Sequence, residues 1–207
     1  MRHISKATAV AATAFAAVVG FGTTQAFAAT TWTVSGGGSF TASASSPTLT
    51  DTSTGAALDC TSSAASGTAA NGTGLSGTDI ATISAVSWKS CTGPLGITFS
   101  VTPSGLSWDL NATSYNATTG VTTGTLTGVK ASISGTLCSA NFAGTSSTTP
   151  ATLNATYTNS SHTLAISGGN LHAYGVSGCL GLINTGDAAT YSASYVVSPS
   201  TLKITSP

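Results

Sequence analysis

Few side chains in this sequence could carry out catalysis, and they lie far apart along the chain. After the first thirty residues, histidine occurs only as His162 and His172. A serine nucleophile needs a histidine base and an acidic residue that orients it. The segments Gly74-Leu75-Ser76-Gly77 and Gly175-Val176-Ser177-Gly178 begin like a nucleophile elbow but lack its final glycine. We therefore predict no catalytic residues, and a small hydrolase built around His162 or His172 is the weakest of three hypotheses.

The acidic and sulfur-containing residues do not form a recognisable metal site in the sequence. The five aspartates occur singly, whereas acid–base catalysis by carboxylates requires two of them together. No Cys-x-x-Cys pair, no histidine beside a cysteine and no calcium-loop pattern is present. We predict no metal and no cofactor. A site built from His162, His172 and Asp187 is the alternative that the residue types leave open.

The N-terminal residues have the three parts of a secretory signal peptide. Arg2 and Lys6 give a positive start, residues 7–22 are apolar and rich in alanine, and Ala26-Phe27-Ala28 matches a signal-peptidase site. We predict a signal peptide over residues 1–28 and a single secreted domain over residues 29–207. No later run of 18 or more apolar residues occurs, so we expect no transmembrane helix after cleavage.

The predicted mature chain carries very little charge. Its charged side chains are five aspartates and three lysines, a net charge of −2. Serine and threonine contribute 71 of the 207 residues, so hydroxyl groups supply the polarity that charged groups usually provide. Phosphate binding needs clustered lysine or arginine, which this composition lacks. We therefore predict no nucleic-acid partner.

Four cysteines follow the predicted signal peptide, and their even number indicates two disulfides in an oxidising compartment. Three pairings are possible. We favour Cys60–Cys91 with Cys138–Cys179, because each of these bonds closes the shorter loop. Large apolar residues are scarce, so the hydrophobic core should be thin and should depend on covalent help.

The pattern of apolar residues favours strands over helices. Glutamate is absent, and glycine or proline interrupts most windows of helical length. Short alternating runs such as Ile97–Val101, Leu106–Leu110 and Tyr191–Tyr195 place apolar side chains on one face. We predict an all-β, single-domain sandwich or barrel of roughly ten antiparallel strands. A transmembrane barrel is less favoured, because its strands need about 9–11 residues and these runs have about five to seven.

Three aromatic residues are candidates for a ligand-binding surface: Trp88, Trp108 and Tyr174. Two further segments, Cys91–Phe99 and Val176–Asp187, combine glycines and apolar residues next to a cysteine. They fit an apolar ligand pocket or a subunit contact, and equally a disulfide-anchored loop that packs on the core.

Several short motifs resemble those of known secreted proteins. Gly93-Pro94-Leu95-Gly96 and Ser177–Asn184 resemble segments of uncharacterised secreted proteins of actinobacteria such as Streptomyces. More distantly, residues 31–204 resemble the PraB-type "protein activator of alkane oxidation" family of secreted, biofilm-associated proteins. The matching features are Leu58-Asp59-Cys60, Cys91, Leu106-Ser107-Trp108, Cys138, Cys179 and Val197-Ser198-Pro199. The resemblance implies a surface or matrix role connected with apolar substrates, and it supplies no catalytic residues.

These observations lead to two main functional hypotheses. The first is a non-enzymatic protein of the cell envelope or extracellular matrix that associates with the cell surface or with itself, as a homo-oligomer or fibre. Unguarded strand edges would allow such pairing, and Thr30–Ser35 is the candidate for a donated strand. The second is a secreted binding module for an apolar ligand, such as a lipid or alkane, or for a carbohydrate.

Overall fold

The computed structural model describes residues 31–207, so the predicted signal peptide and its cleavage site lie outside the described residues. Within this range the chain forms fifteen strands and one three-residue 3-10 turn, Pro94–Gly96, which confirms the all-β prediction. The strands are β1 (Trp32–Ser35), β2 (Gly38–Ser45), β3 (Thr48–Asp51), β4 (Ala57–Ala69), β5 (Gly72–Leu75), β6 (Ala81–Thr92), β7 (Thr98–Ser104), β8 (Trp108–Asn116), β9 (Val121–Gly135), β10 (Cys138–Ala143), β11 (Ala151–Thr158), β12 (Thr163–Ser167), β13 (Leu171–Ser177), β14 (Ala188–Ser198) and β15 (Lys203–Thr205).

Four strands are much longer than the runs seen in the sequence. β4, β6, β9 and β14 contain 13, 12, 15 and 11 residues. Register shifts interrupt their alternation, as between Ser66 and Gly67 on β4. Such bulges move inward-facing positions by one residue, so a strand continues where its sequence pattern breaks.

The strand pairings close on themselves twice, and the four long strands belong to both circuits. The first ring runs β2–β4–β6–β8–β9–β11–β12–β14 and returns to β2. The second ring runs β3–β4–β6–β7–β9–β10–β13–β14 and returns to β3. Every pairing is antiparallel. Of the predicted sandwich and barrel, the described sheet therefore matches the closed, barrel-like arrangement.

A separate three-stranded sheet, in the order β15-β1-β5, covers the end of the first ring. We call it the cap sheet. Trp32, Val34 and Ile204 on it are buried. The hydroxyls of Thr122 on β9 and Tyr157 on β11 donate to carbonyls of the C-terminal segment, at Ile204 and Leu202. In the described part of the segment predicted as a donated strand, Trp32–Ser35 forms the central strand of this sheet, and both of its edges are paired within the chain.

Both predicted disulfides are confirmed, and both lie in the second ring. Cys60 on β4 faces Cys91 on β6, and Cys138 at the start of β10 bonds to Cys179 just after β13. The buried core contains many alanines among its larger apolar residues, as the composition predicted. Covalent bonds therefore reinforce the end of the molecule that the cap sheet does not cover.

Within residues 31–207, no helix is long and apolar enough to cross a membrane.

Candidate functional site

The barrel interior brings together two of the three aromatic residues predicted for ligand binding. The rings of Trp88 on β6 and Trp108 on β8 lie with their centroids 6.5 Å apart, and Trp88 also meets Tyr191 of β14 edge-on at 6.3 Å. Trp108 is buried, with 4% of its surface exposed. Tyr174 lies apart on β13, where its hydroxyl donates to the carbonyl of Gly144. The three residues therefore do not form one surface.

A chain of hydrogen bonds connects the aromatic residues to the barrel wall. The indole Nε1 of Trp88 donates to the hydroxyl of Tyr191 at 3.0 Å, and the hydroxyls of Tyr191 and Tyr195 lie 2.8 Å apart. Tyr195 meets the Ser63 hydroxyl at 2.8 Å, and Ser63 donates to the carbonyl of Ser87. Burial raises the pKa of both tyrosines, because an ionised phenolate would lose its hydration. These side chains form a satisfied polar network inside an apolar core.

The interior around this cluster contains a small apolar cavity of about 70 Å³. Its wall consists almost entirely of aliphatic and aromatic side chains. This volume is far below the roughly 300–1,000 Å³ of typical ligand pockets. The aromatic cluster thus fills the barrel and does not form an open platform for a sugar ring.

A larger apolar cleft, of about 230 Å³, lies at the end of the second ring, where the disulfides are. Four connections build it: the β3–β4 turn, the β6–β7 loop, the β9–β10 turn and the β13–β14 loop. It shares Leu49, Leu58, Ile133 and Phe142 with the interior cavity, so it lies directly above the core. Its lining is Leu49, Asp51, Ala56, Ala57, Leu58, Gly93, Pro94, Ile97, Phe99, Ile133, Thr136, Leu137, Cys138, Phe142, Gly178, Cys179, Leu180, Leu182 and Ile183.

Three exposed leucines stand at this end, and we call Leu95, Leu137 and Leu180 the leucine rim. Their side chains are 85%, 81% and 81% exposed. Each has left-handed backbone geometry, with φ of 61°, 63° and 53°. Left-handed geometry is unfavourable for a leucine, by roughly 1–2 kcal/mol, and exposure of so large an apolar side chain leaves its surface in water. Because strained, exposed apolar residues occur together here, this end of the molecule is the candidate site of interaction.

The sequence identified part of this site. Its two glycine-rich segments beside Cys91 and Cys179 supply about half of the lining, and the structure brings them together at the cleft. Leu137 and the floor residues Leu49 and Leu58 were not predicted as part of a site. Leu137 lies in the short turn between β9 and β10, where its neighbours Thr136 and Cys138 give no sign that it is exposed.

Hydrogen bonds hold the β3–β4 turn against the β13–β14 loop at one side of the cleft. The Thr54 hydroxyl donates to the carbonyl of Leu182 at 2.7 Å, and the Thr52 backbone N–H donates to the carbonyl of Ala188 at 2.8 Å. Asp51, which starts this turn, is buried, and its Oδ1 accepts from the backbone N–H groups of Ser53 and Thr54. The wall is thus ordered and carries a carboxylate.

Of the three residues weighed for hydrolytic or metal chemistry, His162 lies far from His172 and Asp187. The backbone carbonyl of His162 accepts a hydrogen bond from the N–H of Val197, near the end of β14. His172 instead pairs with Ala188, the first residue of β14. Val197 comes nine positions after Ala188 along this strand, which corresponds to about 30 Å. Among residues 31–207, no three His, Cys, Asp or Glu side chains come together as a metal site. The geometry does not assemble the site considered from His162, His172 and Asp187.

In comparisons with known proteins, no family model, no curated protein and no solved structure matches this chain.

Proposed function

We propose that this protein is a secreted, non-enzymatic component of the cell envelope or extracellular matrix that binds an apolar ligand in the cleft at its disulfide-bearing end. The ligand class is a linear alkyl or acyl chain. The observation that carries the proposal is the leucine rim above an apolar cleft. Burial of those exposed leucines against a hydrocarbon would recover about 25 cal/mol per Å² of apolar surface.

The lining favours a hydrocarbon over a carbohydrate. Asp51 and Thr136 are the polar side chains among nineteen lining residues. A sugar needs several hydrogen-bond partners, because its hydroxyls lose water on binding.

Self-association through strand edges has less support than ligand binding. Both rings of the described sheet are closed, which removes the edges that another chain would extend. In the cap sheet, Asn159 bonds both the carbonyl and the N–H of Ile204 and so blocks the outer edge of β15. The four-residue β5 remains as a short edge. Association between copies would more readily use the leucine rim.

The disulfides support the proposed location. Two disulfides are consistent with an oxidising, extracellular environment. The proposal also includes secretion, a biofilm setting and similarity to the PraB-type family. These parts of it rest on the signal-peptide pattern and on the short motifs of the sequence.

Ligand binding can be tested with a neutral apolar dye. Purified protein is titrated with N-phenyl-1-naphthylamine, and the bound dye is displaced with 1-dodecanol. We expect one saturable site and an affinity about tenfold or more lower in the Leu137→Ser/Leu180→Ser variant, because both changes remove apolar contact area at the rim.

The matched control is Val196→Ser, which removes another exposed apolar side chain, 60% exposed, from β14 away from the cleft. It should bind the dye like the parent protein. Equal affinity in the rim variant and the parent, or displacement of the dye by an oligosaccharide instead of 1-dodecanol, would contradict the proposal. Sedimentation velocity of the same variants shows whether the rim joins two copies instead.

A further inference from the structure

Asp51 has an unusual environment for a carboxylate. The residue is 4% exposed, and its Oδ1 is satisfied by the N–H groups of Ser53 and Thr54 at 2.9 and 3.0 Å. Its Oδ2 is buried and has no hydrogen-bond donor among the described residues. A buried carboxylate oxygen without a partner is costly, so a hydrogen-bond donor or a cation is expected at this position.

Asp187 lies next to the turn that Asp51 starts. Ala189 faces Asp51 across the β3–β14 pairing, and the backbone N–H of Thr52 donates to the carbonyl of Ala188, so the preceding residue, Asp187, stands opposite this turn. The Asn184 side chain chiefly lowers the pKa of Asp187, and the side chains of Asp51 and Ser53 lower it to a smaller extent. Both Asn184 bonds end on Oδ2 of Asp187, from Nδ2 at 2.9 Å and from the backbone N–H at 2.8 Å. These bonds fix the carboxylate and leave its Oδ1 available.

Within the part of the chain that the structure describes, no basic side chain forms an ion pair with either carboxylate. The described lysines, at positions 89, 130 and 203, lie on β6, β9 and β15, and none of the lining residues of the cleft is basic. Two adjacent carboxylates repel each other unless a proton or a metal cation lies between them. Carboxylate and hydroxyl oxygens are the ligands that hard divalent cations prefer.

We propose that Asp51 Oδ2 and Asp187 Oδ1, with the Ser53 hydroxyl, bind a single divalent cation of the calcium class, with water completing the coordination. The site connects the β3–β4 turn to the β13–β14 loop, which carries Leu180 of the leucine rim. Cation binding therefore stabilises one wall of the cleft. It needs no apolar ligand, so this proposal stands or falls separately from the proposed function.

The test is a calorimetric titration of EDTA-treated, dialysed protein with calcium chloride, together with thermal unfolding in 10 mM calcium. We expect one site with a dissociation constant of about 10⁻⁴–10⁻³ M, as in extracellular calcium modules, and a midpoint that rises by a few degrees. Magnesium at the same concentration should give a smaller rise, because it requires a stricter octahedral geometry.

Three variants locate the site. Asp51→Asn and Asp187→Asn should each lower calcium affinity at least tenfold, and Asp187→Asn, at the more accessible position, serves if Asp51→Asn does not fold. Asp79→Asn is the matched control, because this exposed aspartate lies outside the cluster and its φ of 52° suits asparagine. Absence of calcium binding by the parent, or unchanged binding by Asp187→Asn, would overturn the proposal. If Asp51→Asn is more stable than the parent protein whether or not calcium is present, the proposal is overturned. That result would indicate that Asp51 and Asp187 share a proton instead of a cation.

Discussion

At the scale of single residues, the main contrast is between tyrosines inside the barrel and leucines at its rim. The tyrosine hydroxyls are buried but each has a hydrogen-bond partner, so they cost little and fix the packing of the interior. The rim leucines have no such compensation, because their side chains point into water from strained backbone positions. This contrast distinguishes the groups that hold the fold together from those available for binding.

The buried tyrosines should make the protein sensitive to alkaline pH. Burial raises the pKa of Tyr157 to about 12 and also raises those of Tyr191 and Tyr195 above the ordinary value of 10.0. The folded state therefore favours the neutral phenols. Their contribution to stability is complete below pH 10, and it is lost as the pH rises through the folded-state pKa values. Urea unfolding at several pH values should show a plateau below pH 10 and a decline above it.

A single substitution separates this effect from general alkaline denaturation. Tyr191→Phe should cost about 1–2 kcal/mol at neutral pH, because Trp88 and Tyr195 lose a hydrogen-bond partner. The same variant should lose stability less steeply above pH 10, since one buried phenol no longer ionises. A slope equal to that of the parent protein would show that Tyr191 does not contribute to the decline.

The disulfides should make large and comparable contributions to stability. They close segments with sequence separations of 31 and 41 residues. By the chain-entropy model each contributes about 3.5–4 kcal/mol. Replacing either pair with two serines should lower the free energy of unfolding by about that amount, measured by urea denaturation. A loss below about 1 kcal/mol for both pairs would contradict the view that the thin core depends on them.

At the scale of elements, the sequence predicted strand type better than strand extent. Alternation revealed β7, β8 and the central part of β14, where large apolar side chains occupy every second position. It did not reveal the length of β4 or β9, because alanine, glycine and serine fill many of their positions and bulges shift the register. Pairings between distant strands, which create both rings, leave no local pattern in the sequence.

The same limit explains the partial prediction of the site. The segments beside Cys91 and Cys179 were recognisable because glycines and apolar residues cluster there. Their meeting depends on the course of the chain through β6, β7, β10 and β13. The approach of Asp51 to Asp187 has no sequence signal at all, since 136 residues separate them and the aspartates occur singly.

The cap sheet should depend on Trp32 of β1. This side chain is 2% exposed and packs so closely on Gly77 that a Cβ atom there would lie 2.6 Å from the indole Nε1. Trp32→Ala should cost about 3–5 kcal/mol, because it leaves a large cavity under the cap. Thr33→Ala, on the opposite face of the same strand, is the control and should cost less than about 1 kcal/mol.

The unfolding midpoint of the parent protein, measured at several protein concentrations, distinguishes pairing within one chain from pairing between chains. Because β1 lies between β5 and β15 of its own chain, the midpoint should not change with protein concentration. A midpoint that rises with concentration would instead indicate that β1 is exchanged between copies.

At the scale of the whole molecule, the two ends of the barrel differ. The cap sheet covers the end of the first ring and buries apolar residues such as Trp32 and Ile204. At the other end the disulfides anchor loops around an apolar cleft that no described strand covers. We infer that the uncapped end is the functional end.

Binding of an alkyl chain at the uncapped end is tested most directly by methyl NMR spectroscopy of protein with isotope-labelled leucine, isoleucine and valine methyl groups, titrated with 1-dodecanol. We expect saturable shift changes and contacts to the alkyl chain at Leu137, Leu180, Leu182 and Ile183, with Val196 and Ile204 unaffected. Shift changes spread evenly over the surface, or confined to the cap sheet around Ile204, would contradict it.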